Sequence, residues 1–304
     1  MLSNVIDCIK LLAIFLIFNA CNAPEKSSAQ PREKNVINDS ISTDSISIDS
    51  LDKKLIINYR LLYLNDSLRK RLKKDFTVSE LSTISALNRI DYAKMYKVDS
   101  IVLPDTFLID FLSYSPFPDT FPQIFQLKKI ILVSYPIQAF AAYFNGKLQR
   151  WGPVNMGKKS TPTPTGLFHT NWKSKLQIST ENPDWILPWY FNLVNATGVS
   201  FHEFELPGLP VSHSCIRLKQ EDAKWIYENA EQWKLHKNGM KILAQGTPVL
   251  IFGEYAYEKP KPWYGLAKDG LTNNYSADSL FKFLSPYIEK LETEQAERDT
   301  LLKN

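Results

Sequence analysis

Asn145-Gly146, set between Ala139-Phe140-Ala141-Ala142-Tyr143-Phe144 and Lys147-Leu148-Gln149-Arg150-Trp151, constrains this chain more than any other pair of residues. A two-residue hairpin turn needs φ > 0 at both positions, and Asn-Gly accepts that geometry. With the β-branched run Ile130-Ile131-Leu132-Val133 just upstream, the hairpin places the start of a β domain near Phe125. Thr161-Pro162-Thr163-Pro164-Thr165-Gly166 reads as a rigid loop, because its prolines fix φ and lack an N–H. Leu167-Phe168-His169 then restarts a strand. Downstream, Ala223, Ile226, Ala230 and Trp233 recur at helical spacing and predict a helix from Gln220 to Trp233 with one core face. The expectation is a mainly β domain over residues 125–254 with one helix near its end.

The 304 residues are enough for one or two folded domains. With 44% hydrophobic and 22% charged residues and three cysteines, the chain is neither disordered throughout, nor collagenous, nor a disulfide scaffold. A net charge of +4 is far from the concentrated basic field of a nucleic-acid binder, so no nucleic-acid partner is expected. Residues 255–304 begin with the turn-rich Pro260-Lys261-Pro262-Trp263. They continue as an amphipathic helix from Ser276 to Leu302, interrupted near Pro286, that packs on the β domain and then frays.

The N-terminal third has a different character. Leu11 to Phe18 is apolar but too short to span a bilayer, and it stops at Phe18-Asn19-Ala20-Cys21. It resembles a bacterial lipoprotein signal peptide, 1–20, which implies removal of Cys8, a lipidated Cys21, and a chain held to a membrane outside the cytoplasm, in the periplasm. An ordinary secretory signal is the alternative. Residues 21–50, rich in Ser, Asp and Asn, read as a flexible tether. Residues 51–105 read as a small α-rich segment whose basic cluster Arg69, Lys70, Arg71, Lys73 and Lys74 is a solvated helix face. Within it, Leu87-Asn88-Arg89 and Lys97 to Pro104 resemble half of a LysM module, a fold that binds peptidoglycan glycan strands; a plain helix and short strand is the alternative.

Chemistry concentrates in Ser212-His213-Ser214-Cys215-Ile216-Arg217. In extended backbone, His213 and Cys215 share a face, and the Pro207-Gly208-Leu209-Pro210 loop can fold His202 back onto Cys215. A neighbouring imidazole can stabilise the nucleophilic thiolate as an ion pair. Two other readings of the same residues are a buried cysteine with core histidines, and a zinc site of His202, His213 and Cys215, although no fourth ligand is evident and the spacing is unusual. His169 and His236 read as structural. The aromatic stretch Asn171 to Phe191, with Trp172, Trp185, Trp189 and Tyr190, reads either as a lid or as packing.

These motifs, in order, resemble the L,D-transpeptidase catalytic domain, the YkuD family. The matching residues are His202, then Ser212-His213-Ser214-Cys215-Ile216-Arg217, the Asn145-Gly146 hairpin, Thr163 to Phe168, Asp222-Ala223, and Gly246-Thr247-Pro248-Val249. The resemblance implies an L,D-transpeptidase-type β-sandwich. It also implies a cysteine acyltransferase without metal or cofactor, acting on peptidoglycan stem peptides. Cys215 is its nucleophile, His202 its proton donor and acceptor, His213 an assisting group, and the amides of Ser214 and Cys215 its oxyanion donors. Arg217 and Ser212 are expected at the substrate. Two departures stand out. Ser214 holds the family's glycine position, at a cost of ~1 kcal/mol if φ is positive there. Glu203 follows His202 and is placed to raise its pKa or to bind a cationic acceptor. A non-catalytic peptidoglycan-binding lipoprotein, or a hydrolase using water as acceptor, shares the same sequence features.

Overall fold

The computed structural model describes residues 56–239 and 241–303. The expected signal peptide with Cys8, the lipidation position Cys21, the tether over 21–50 and the first residues of the 51–105 segment lie outside these.

The N-terminal segment is a strand, two helices and a strand: β1 (Tyr59–Tyr63), α1 (Asp66–Asp75), α2 (Val78–Leu87) and β2 (Ser100–Pro104). The strands pair antiparallel, with Leu61 opposite Val102. Asn65 caps α1, and Thr77 with Glu80 forms a reciprocal capping box on α2, which satisfies amide donors that helix starts leave open. The basic cluster is solvated on α1 except at Arg69, whose guanidinium turns inward to donate to the carbonyls of Leu64, Met95, Tyr96 and Val98.

The β domain holds β3 (Ile130–Ser134), β4 (Ala139–Phe144), β5 (Lys147–Asn155), β6 (Gly166–His169), β7 (Lys173–Ile178), β8 (Ile186–Val194), β9 (Val199–Glu203), β10 (Ile216–Leu218), the short β11 (Lys234–Leu235) and β12 (Ile242–Ala244), and β13 (Pro248–Phe252). Asn145 and Gly146 have φ of 46° and 69°, as the hairpin turn requires. Nine strands form one sheet in the order β6-β13-β3-β4-β5-β10-β9-β8-β7. The edge strands β6 and β7 are joined by only Thr170 to Trp172, so the sheet curls until its edges lie side by side. The mainly β domain expected from the sequence is thus present, its layers formed by one nine-stranded sheet that curls on itself. Its inner face gathers Ile131, Phe140, Val154, Phe191, Phe201, Ile216 and Ile251 into one core.

Helix α3 (Gln220–Asn229) plugs that core with Ala223 and Ile226. It is shorter than the spacing predicts: Ala230 is extended, and the Trp233 amide donates to Asn171 instead of continuing the helix. Beneath it, Asp222 is buried against Arg150 at 2.6 Å. A second core lies on the outer face of β3, β4 and β13 and is covered by α4 (Ala277–Leu284) and α5 (Ile288–Lys303) through Leu280, Leu284 and Leu291. The break at Pro286 is a short 3₁₀ turn. Rather than fraying after it, α5 is held by Lys128–Asp299 at 2.5 Å, Arg298–Glu231 at 3.1 Å, and His169–Glu294 at 2.8 Å. His169 is thus structural, as expected. No helix among the described residues is long and apolar enough to cross a membrane.

Candidate active site

Parallel pairing of β9 with β10 builds the site. Phe201 lies opposite Ile216 and His202 opposite Arg217. Because side chains alternate along a strand, Phe201 and Ile216 point into the core while Ser200, His202, Cys215 and Arg217 share the outer face. Parallel neighbours need a crossover, and the chain from Phe204 to Cys215 supplies it. That loop is braced from both sides. Asp91 of the N-terminal unit exchanges hydrogen bonds with Leu206, accepting at 2.7 Å through its carboxylate and donating at 2.8 Å through its amide. At the end of β5, Asn155 holds the Leu209 carbonyl and the Val211 amide, and Met156 accepts from the Ser212 amide.

Cys215 is half-buried. Its thiol donates to the Gly198 carbonyl and accepts from Ser200 Oγ, both at 3.6 Å. His202 is 3% exposed, and its Nδ1 lies 2.9 Å from the Glu203 carbonyl. A carbonyl only accepts, so Nδ1 carries the proton and Nε2 is left with the basic lone pair. Burial, together with the Arg217 charge, pulls the His202 pKa down to about 4. Burial also pushes the Cys215 thiol up, against the lowering effect of Ser200 and Arg217. The resting pair is therefore neutral thiol and neutral imidazole, not the ion pair expected from the sequence. Both groups are desolvated in the sheet, and the permanent cation nearby is Arg217, which disfavours a protonated His202. The Glu203 carboxylate does not raise the His202 pKa; the alternation of β9 turns it away from the imidazole, and only its backbone touches the ring.

Ser214 has φ 78°, so the left-handed conformation anticipated for the family's glycine is present with a Cβ on it. Thr163 Oγ1, from the Thr-Pro loop, pins the Ser214 carbonyl at 2.9 Å. Ser212, expected at the substrate, is buried, and its hydroxyl donates to the Cys215 carbonyl at 2.6 Å, which braces the loop that carries Cys215. His213 is exposed, with Nε2 2.9 Å from Lys158 Nζ and its ring 5.3 Å from Trp185. Arg217 stacks over Phe204 at 4.4 Å and lines an open cleft of about 530 Å³ with Trp185, Phe204 and Glu205. Of the aromatic stretch, Trp185 alone lines this cleft. Trp172 packs on Tyr190 and Trp189 on Tyr227. The side chains considered for zinc do not converge, since His213 points to Lys158 and His202 Nδ1 is held by its backbone partner; no group of three His, Cys, Asp or Glu among the described residues is arranged to hold a metal.

Ser200 and Lys158 were not singled out by sequence. Ser200 lies two positions before His202, and strand alternation alone would have put it on the same face. Lys158 follows the end of β5, and its meeting with His213 depends on the isolated bridge between Gly157 and Ser212, a contact with no local signature.

Residues 128–251 match the model of the YkuD family, the L,D-transpeptidase catalytic domain. No curated protein matches the chain. Among solved structures, the chain is similar to an L,D-transpeptidase from Stackebrandtia nassauensis, with 22% identity over 42% of this chain and 57% of that one, at a TM-score of 0.35. It is also similar to an L,D-transpeptidase from Mycobacterium smegmatis (21%, 42% and 59%, 0.33) and to L,D-transpeptidase 1 of Mycobacterium tuberculosis (23%, 42% and 63%, 0.32). In each case the match spans less than two thirds of the solved chain.

Proposed function

We propose that the domain matching the L,D-transpeptidase model is a cysteine acyltransferase that remodels peptidoglycan stem peptides. One observation carries the reading: the family match falls on a half-buried thiol that shares a sheet face with an imidazole whose Nε2 is unprotonated. Rotation about χ1 of Cys215 swings Sγ from Gly198 toward His202, which takes the thiol proton. The thiolate forms beside Arg217, whose charge stabilises it. Sulfur attacks the carbonyl between the third stem residue and the terminal D-alanine, and the oxyanion is met by the amides of Ser214 and Cys215. His202 then passes its proton to the departing amine, leaving a thioester and free D-alanine. An amine of a neighbouring stem attacks the thioester, giving a cross-link. Arg217, and Lys158 beside His213, are the cations available to a substrate carboxylate. His213 assists by holding Lys158 and Trp185 at the mouth of the site.

The thiol's contacts with Ser200 and Gly198, turned from the imidazole, favour one alternative: a chain that binds stem peptides without acyl transfer. Muropeptide analysis of walls exposed to wild-type or Cys215→Ala protein separates the two. The enzyme changes cross-links in a Cys215-dependent way, and a binder leaves both profiles alike. The same profiles distinguish transfer from hydrolysis. Anchoring through Cys21 in the cell envelope, and contact of the N-terminal unit with glycan strands, complete the proposal; radiolabelled lipid incorporation into wild-type but not Cys21→Ala protein is the expected outcome.

A further inference from the structure

A row of buried polar side chains crosses three strands on the outer face of the sheet and ends at the Cys215 sulfur. Asn192 of β8 lies opposite Ser200 of β9, and the register of β9 with β10 brings Cys215 level with Ser200. Ser200, Asn192 and Tyr190 are at most 5% exposed. Burying hydroxyl and amide groups costs free energy that an apolar row avoids, unless each group is hydrogen-bonded. Here each is, and all in one direction. The thiol's one proton goes to the Gly198 carbonyl, which only accepts. Sulfur therefore accepts from Ser200 Oγ at 3.6 Å, and the proton of that hydroxyl is committed to it. Asn171 Nδ2 donates to Asn192 Oδ1 at 3.0 Å, which turns Asn192 Nδ2 toward Tyr190 Oη at 3.2 Å. Tyr190 is hydrogen-bonded to Ser200 and already accepts from Asn192, so its own proton goes to Ser200 Oγ. Every donor from Asn171 onward thus points toward sulfur.

We propose that Ser200 is a further catalytic residue, the hydroxyl that holds the negative charge on Cys215 once His202 has taken its proton, with Tyr190, Asn192 and Asn171 as positioning residues behind it. The inference rests on the reading of Cys215 as the acylated residue. Ser200 and His202 are successive residues on one face of β9, ~7 Å apart along the strand. Sulfur turning from Gly198 toward the imidazole therefore lies between a base and a donor. The S–H bond breaks, its proton passes to Nε2 of His202, and the Ser200 O–H stays whole. A hydrogen bond to an anion is roughly twice as strong as one between neutral groups. The aligned row behind Ser200 polarises that bond further. The contact that holds the resting thiol thus favours its ionisation, because the hydroxyl donates to sulfur instead of accepting from it. Burial raises the thiol's pKa, and Ser200, through its hydroxyl and its backbone N–H, is foremost among the groups that oppose this, ahead of the Arg217 charge.

The test follows the pH dependence of alkylation by iodoacetamide in the full chain, read at Cys215 by peptide mass spectrometry, beside the rate of acylation by a carbapenem. Ser200→Ala should raise the alkylation midpoint by about one pH unit and slow acylation about tenfold. Ser200→Thr, which keeps the hydroxyl, should restore the wild-type midpoint. Tyr190→Phe should move the midpoint the same way by less, since Ser200 keeps its proton but loses the donor that directs it. A serine with only a packing role would slow acylation alike at every pH and leave the midpoint in place, and that result overturns the proposal. If Ser200→Ala does not fold, Tyr190→Phe decides, and a wild-type midpoint for it overturns the proposal as well. A folded wild type that takes no acyl group overturns the reading of Cys215 as the acylated residue, while the alkylation midpoints still decide the role of Ser200.

Discussion

At the residue scale, two side chains govern the site through the cost of their positions. Ser214 carries a Cβ at φ 78°, where an L-residue sits at a penalty of ~1 kcal/mol relative to glycine, partly offset by glycine's larger unfolded-state entropy. Ser214→Gly is expected to raise stability by up to ~1 kcal/mol, and Ser214→Val to lower it, in urea titrations; a destabilised glycine variant would contradict the strain. His202 carries a pH dependence. Its folded pKa, about 4, lies below the ordinary 6.5, so between those values the unfolded chain binds the proton and the folded chain does not. Stability from this group is present above pH 6.5 and is lost as pH falls toward 4, by roughly 3 kcal/mol for a shift of this size. Denaturant midpoints at pH 7 and pH 4.5 should differ more for the wild type than for His202→Gln. Equal differences would place the imidazole in a solvated setting. That His202 and Cys215 fall on neighbouring segments of the sheet was legible in sequence because ordered motifs flank both; the burial that holds His202 and Cys215 neutral was not, because it depends on packing and on the Arg217 guanidinium across the strand pair.

At the scale of elements, the N-terminal unit is locked to the β domain by Arg89. This residue is 3% exposed, has φ 56°, and lies between the rings of Trp151 and Trp263. It donates to the carbonyls of Ile137 at 2.9 Å, Ala86 at 2.6 Å and Leu87 at 3.1 Å. Arg89→Ala leaves those acceptors unsatisfied in the interior, each costing ~1–3 kcal/mol. The expected result is a loss of about 3 kcal/mol or more and faster proteolysis between residues 105 and 115, with an unchanged cleavage pattern counting against the lock. Strand and helix signals were read correctly wherever they were local: the hairpin, the Thr-Pro loop, and the kink at Pro286. What escaped were pairings between distant segments. The partnership of β1 with β2 across two helices, and the closure of the sheet through Thr170 to Trp172, leave no periodic trace. Helix α3 also stops before Trp233 because a backbone bond to Asn171 wins over spacing.

For the molecule as a whole, the rolled sheet presents two faces with different tasks. The inner face is closed by α3, and the outer face divides between the site at β9–β10 and the apolar area under α4 and α5. Leu284 and Leu291 are at most 1% exposed there. Leu284→Ala should destabilise the chain by about 2–5 kcal/mol, as expected for a buried leucine, in thermal or urea unfolding. A change below 1 kcal/mol would show that the C-terminal helices are not part of the cooperative unit. The loop carrying Ser212 to Cys215 is braced by Asp91 on one side and by β5 on the other, so the N-terminal unit helps to hold that loop in place. The central claim is that Cys215 becomes acylated. Intact-mass measurement of the folded chain after incubation with a carbapenem tests it most directly. One adduct on wild-type protein, located on Cys215 and missing from Cys215→Ala, is the predicted result; a folded wild type that stays at its unmodified mass would contradict the account.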